Sequence, residues 1–108
     1  MNRHQLAEER SIALHREVAA RLRADPQHVV AARARVASWL ATGDVSEIYA
    51  RRWQQWLDLP LDELCARLVD PGDLARELRQ ATPFSGVVDP RTRWRIWREE
   101  AARAGIAP

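Results

Sequence analysis

The 108-residue sequence predicts an all-α protein, a compact irregular bundle of five to six helices forming one domain over residues 1–108. Three observations carry this. The strong apolar periodicities recur every three or four residues, the spacing of a helix face. Asp-Pro occurs three times, at Asp25-Pro26, Asp70-Pro71 and Asp89-Pro90. An Asp carboxylate accepts from the free N–H groups of a first helical turn, and Pro costs nothing at the first helical position, so each pair reads as a helix start. No strand pattern competes beyond the very short Val87-Val88.

The first helix is expected from about Gln5 to Arg23, with Ser11, Leu14, His15, Val18 and Leu22 on one face. The second runs from Pro26 to about Thr42, with Val29, Ala32 or Arg33, Val36 and Leu40 in line and Val30 and Ala37 beside them. The short connection at Asp25 favours an antiparallel pair. Gly43 suits the left-handed position that ends a helix, as does Gly105 at the far end of the chain. Asp44 followed by Glu47 reads as an Asp variant of the capping box, opening a third helix from Val45 to about Asp58. Its inner face takes Val45, Ile48 or Tyr49, Trp53, Trp56 and Leu57.

Pro60 ends that helix, and Leu61, Leu64, Cys65 and Leu68 make a short fourth one. The turn Asp70-Pro71-Gly72-Asp73 leads to a fifth, about Leu74 to Ala81, with Leu74 and Leu78 facing in. Residues 82–88 read as an ordered loop, because Phe84, Val87 and Val88 are apolar. The last helix runs from Pro90 to Ala104, with Trp94, Trp97 and Ala101 in line.

Leu, Ile, Val and Phe supply 24 residues, just above the level at which disorder becomes the expectation. The five Trp must therefore either complete a thin core or face a partner. The chain holds 17 Arg, no Lys and 15 acids, for a formal net charge of +2. An acidic middle, −3 over residues 58–82, lies between basic ends. No apolar run approaches the roughly 18 residues of a membrane span. Residues 1–16 contain no uninterrupted apolar stretch, so no secretory signal and a cytoplasmic location are expected.

No catalytic signature stands out, and the expectation is a protein that is not an enzyme. A single Cys, Cys65, excludes an internal disulfide and a Cys-based zinc site. It falls on an inward face, where a packed thiol is the expectation. His4 and His15 share a face but stand about 16 Å apart along a helix, too far to hold one ion. Ser85-Gly86 lacks the preceding glycine of a nucleophile elbow. No Gly-rich phosphate loop is present, and neither metal nor cofactor is expected.

Two segments carry binding chemistry. Residues 29–56 read helix, turn, helix, and the second helix offers Arg51, Arg52, Gln54 and Gln55, side chains that reach phosphates and base edges. A DNA-binding helix-turn-helix wants a small residue four positions before its turn glycine, whereas Trp39 stands there. The low net charge is also a poor phosphate footprint. The other segment is Arg91-Thr92-Arg93-Trp94-Arg95-Ile96-Trp97-Arg98, with four Arg and two Trp in eight residues. Trp and Arg are the residues most enriched at binding hot spots. Arg91, Arg93, Trp94, Arg95, Trp97 and Arg98 are therefore the candidate partner-binding residues.

Leu14-His15-Arg16-x-Val18-Ala19, the stretch from Trp53 to Leu64, and Pro83-Phe84-Ser85-Gly86-Val87-Val88-Asp89-Pro90-Arg91-Thr92-Arg93-Trp94 resemble small helical proteins encoded beside toxin genes in bacteria. In that group the last segment often runs Pro-Phe-small-Gly-Val-apolar-x-Pro-x-x-Arg-Trp. The resemblance implies an antitoxin, which binds a cognate toxic enzyme and occludes or remodels its active site. Antitoxins commonly bind their own operator as well, so DNA is a secondary expectation. A small DNA-binding regulator is the alternative function, and contact with a second copy through the Trp residues is the third.

Overall fold

The computed structural model describes residues 2–105. Among them are six helices and no strand: α1 (Arg3–Ala24), α2 (Gln27–Thr42), α3 (Glu47–Leu57), α4 (Leu61–Leu68), α5 (Asp73–Arg79) and α6 (Pro90–Arg103). The all-α expectation holds.

Helix α1 begins two residues earlier than its apolar stripe suggests. Asn2 and Gln5 form a reciprocal capping box: the Asn2 side chain accepts from the Gln5 N–H at 2.8 Å, and the Asn2 N–H donates to Gln5 Oε1 at 3.0 Å. Asp25 turns the chain into α2 by accepting from the Gln27 N–H at 3.1 Å. Gly43 closes α2 at φ 76°, a left-handed conformation open to Gly at no steric cost. Asp89 caps α6 as its sequence predicts, Oδ2 accepting from the Thr92 N–H at 3.0 Å, with Pro90 in the first turn.

Local rules fail at three places. Asp44 and Glu47 make no capping box; Ser46 takes the N-cap position without a side-chain bond, and Glu47 pairs with Arg51 instead. Asp70-Pro71 does not open a helix. Asp70 accepts from the Gly72 N–H at 2.6 Å, closing a turn, and α5 starts only at Asp73. Helices α1 and α2 are not a closely packed pair either: α2 lies chiefly on α3, and α1 chiefly on α6 and α4.

Trp53 stands at the centre of the core, fully buried. Trp56 and Phe84 meet its ring edge-on at centroid distances of 5.3 and 5.8 Å. Around this trio cluster Leu14, Val18 and Leu22 of α1, Val36 of α2, Leu64, Cys65 and Leu68 of α4, and Leu78 of α5. The loop 80–89 is thus part of the core, sealed by buried Pro83, Phe84 and Val88. Cys65 is buried, as expected, and burial pushes its thiol above the ordinary range. One apolar assignment reverses: Leu74 is 39 % exposed, and its neighbour Ala75 takes the inward position instead. Of the alternatives Ile48 and Tyr49, Tyr49 packs against the core and Ile48 is 71 % exposed.

Three polar residues lie inside: His15, Arg79 and, on α6, Glu100. His15 bridges α1 to the loop: one ring nitrogen meets Ser11 O at 2.8 Å and the other Thr82 Oγ1 at 2.9 Å. Ser11 O is an acceptor only, so Nδ1 carries the proton and Nε2 accepts from the Thr82 hydroxyl. The Thr82 oxygen in turn accepts from the Phe84 N–H at 3.2 Å. Arg79 is 3 % exposed and donates from Nη1 to Leu68 O and Asp70 O, backbone acceptors at the end of α4.

Candidate functional site

Helix α6 is fastened to α1 along its inner side. At its start, the Arg21 guanidinium donates to Asp89 Oδ1 at 2.9 Å and to Val87 O at 3.2 Å. The bonds from the Thr92 N–H and hydroxyl, followed by that from Arg21, hold the Asp89 carboxyl below the usual carboxylate range. Midway, Ile96 is buried. Near its end Glu100 and Ala101 are buried, and Glu100 pairs with Arg103 at 3.1 Å.

This packing rotates the helix away from its expected orientation. Ile96, Glu100 and Ala101 form the buried face, and Trp94 points out, 59 % exposed. Trp97 lies half-buried at the edge. There Arg10 of α1 holds it, with the guanidinium 5.1 Å from the ring centroid and Nη2 donating to Trp97 O at 3.0 Å. Trp53 and Trp56 are core residues, Trp39 packs half-buried against the core, and Trp94 is the large aromatic left facing out.

The four arginines of the segment divide. Arg93 folds back to donate to Ser85 O, and Arg95 pairs with Glu99 at 3.2 Å. Arg91 and Arg98 are exposed and have no hydrogen-bond or ion-pair partner among the described residues. They lie three residues before and four after Trp94, on the same side of the helix. Beside them Pro90, Arg93, Trp94 and Trp97 line an open groove of about 270 Å³. Of the six candidates, then, Arg91, Trp94 and Arg98 form one outward set. Trp97 forms the groove's other wall, while Arg93 and Arg95 are occupied within the chain.

The α3 candidates present a different surface. Arg51, Arg52, Gln54 and Gln55 are all exposed. Arg51 is paired with Glu47 at 2.9 Å, and Gln54 and Gln55 border a cavity of about 320 Å³ shared with Arg33 and Asp58. The end of α3 that a recognition helix would lead with carries Glu47, close after Asp44 and occupying Arg51, so acidic side chains stand where base edges would be read.

Among the described residues, no three His, Cys, Asp or Glu side chains come together as metal ligands, and no helix is long and apolar enough to cross a membrane. Arg10 and Arg21, which hold α6 in place, were not legible as site residues. Each lies on α1, 66 to 87 positions from the groups it fixes, and no local spacing signals such a pairing. Compared with known protein families, curated proteins and solved structures, the chain matches none of them.

Proposed function

We propose that this chain is an antitoxin-like protein-binding module that covers a partner enzyme with the outer face of α6. The observation that carries the reading is Trp94, a large aromatic held 59 % exposed on a helix whose opposite face is locked to the core. Burying such a side chain against a partner supplies both apolar area and a well-defined shape. The helix is ordered before binding, so little conformational entropy is lost on docking. A standard interface takes about 800 Å² from each partner. That is roughly an eighth of the 6707 Å² this chain exposes, so one face suffices. The resemblance of the Pro83–Trp94 segment to antitoxin-like proteins points the same way.

The test compares the wild-type chain with Trp94→Ala as tagged baits in the native cell. One stoichiometric enzyme should copurify with the wild type, and its activity should fall when purified wild-type chain is added back. Trp94→Ala should lose both effects by at least about tenfold. Capture and inhibition unchanged by Trp94→Ala would overturn the assignment to α6. Recovery of promoter DNA in place of an enzyme would favour the regulator reading.

A further inference from the structure

We infer that the partner presents an acidic segment in which carboxylates bracket an apolar side chain, and that Arg91, Trp94 and Arg98 read it together. This rests on α6 being the binding face. Arg91 and Arg98 are seven residues apart, two turns of helix, so their α-carbons stand about 10 Å apart on one stripe. Trp94 lies between them along the axis, and on its other side Pro90, Arg93 and Trp97 complete its groove. The stripe thus carries an exposed indole at its middle and a guanidinium toward each end.

Arg21, Arg23, Arg33, Arg51, Arg76, Arg95 and Arg103 have a carboxylate within the chain. Arg3, Arg16 and Arg52 are exposed without one, as Arg91 and Arg98 are, but they lie on other helices, away from Trp94. Arg91 and Arg98 have none, although Glu99 and Glu100 are close in sequence; those acids are taken by Arg95 and Arg103. Two guanidiniums without intramolecular partners, each able to take a carboxylate by a two-pronged hydrogen bond, stand one toward each end of the exposed Trp94 indole. Complementarity selects a partner with negative charge at matching separation and an aliphatic or aromatic residue between.

Nucleic acid fits less well. A strand-binding surface needs a continuous cationic track along with its stacking platform. Here Arg93 is turned into the loop, and the Glu99 carboxylate, on the same helix, neutralises Arg95. Two separated charges on a chain of net charge +2 make a weak phosphate track.

The experiment is selection of a displayed random dodecapeptide library on the full chain. It is repeated on Trp94→Ala and on the double variant Arg91→Glu with Arg98→Glu, and a twelve-nucleotide oligothymidylate is titrated separately by Trp fluorescence. The three side chains are exposed, so melting temperatures should match the wild type. Arg91→Gln with Arg98→Gln, which adds no charge, serves if the reversal does not fold. The expected result is peptides with Asp or Glu flanking an apolar residue, whose binding weakens at least about tenfold with Trp94→Ala and with charge reversal. Apolar peptides without acidic bias, lost only with Trp94→Ala, would overturn the acidic partner and leave α6 as the binding face. Selection that yields nothing dependent on Trp94 would overturn both. Oligothymidylate binding tighter than any selected peptide, and lost in the same variants, would replace the acidic segment with nucleic acid.

Discussion

Arg10 holds Trp97 in two ways at once. Its guanidinium lies over the indole at 5.1 Å from the centroid, while Nε and Nη2 donate to the Trp97 carbonyl at 3.2 and 3.0 Å. The pair joins α1 to α6 across 87 positions of sequence and stands at the edge of the groove beside Trp94. It keeps one Trp of the segment on the protein and so leaves the other free.

Removing that clamp should loosen α6. Arg10→Met keeps most of the aliphatic stem but loses the carbonyl bonds and the cation, at an expected cost of about 1–2 kcal/mol in urea unfolding. Arg10→Lys should recover only part of this, because an ammonium cannot spread over the ring and reach the carbonyl with a planar fork. Full recovery by Lys would show that charge alone, without the geometry, fastens the helix.

Stability should fall between pH 6.5 and 4 through His15. Desolvation by burial is the largest influence on its pKa, opposed by the bond to Ser11 O and assisted by the Arg79 charge, and lowers it from 6.5 to about 4. Above pH 6.5 the ring is neutral in both folded and unfolded chains, and the full stability is present. As pH drops through 6.5 the unfolded chain takes up the proton first, so folding is progressively disfavoured until the native ring titrates near pH 4. The loss over that window is roughly 3 kcal/mol. Carboxylates titrate there too, so the measurement is the difference in unfolding free energy between wild type and His15→Gln at pH 7 and pH 4.5. Equal slopes in the two proteins would contradict a buried neutral histidine.

The two classes of Trp should separate cleanly in stability. Trp53→Ala removes the centre of the aromatic trio and should cost about 3–5 kcal/mol. Trp94→Ala, on the outer face, should change stability by less than about 0.5 kcal/mol. Chemical denaturation of both variants checks this. A destabilisation of several kcal/mol for Trp94→Ala would place its ring against the core.

The sequence by itself determined what local chemistry governs. Asp89 with Pro90 starts α6, and Gly43 ends α2, because capping groups and backbone preferences act within a turn. Leu14, Val18, Leu22, Leu64, Leu68 and Leu78 are core because their helical spacing leaves only one face for them. The loop with Phe84 is ordered because its apolar side chains have a core to enter. Tertiary structure decided what local chemistry leaves balanced. On α6 two adjoining faces, one led by Trp94, Trp97 and Ala101 and the other by Ile96 and Ala101, are both apolar enough to turn inward. Packing on α1, with Arg21 on Asp89 and Arg10 on Trp97, selected the second. Leu74 lost its inward place, and Tyr49 rather than Ile48 turned in, for the same reason: a short amphipathic helix can rotate by one position at small cost, and its neighbours set the angle. Which arginines are free is likewise a tertiary outcome. Four of them fall within eight residues, where Ser85 engages Arg93 and Glu99 engages Arg95, while Arg91 and Arg98 face outward without a partner among the described residues.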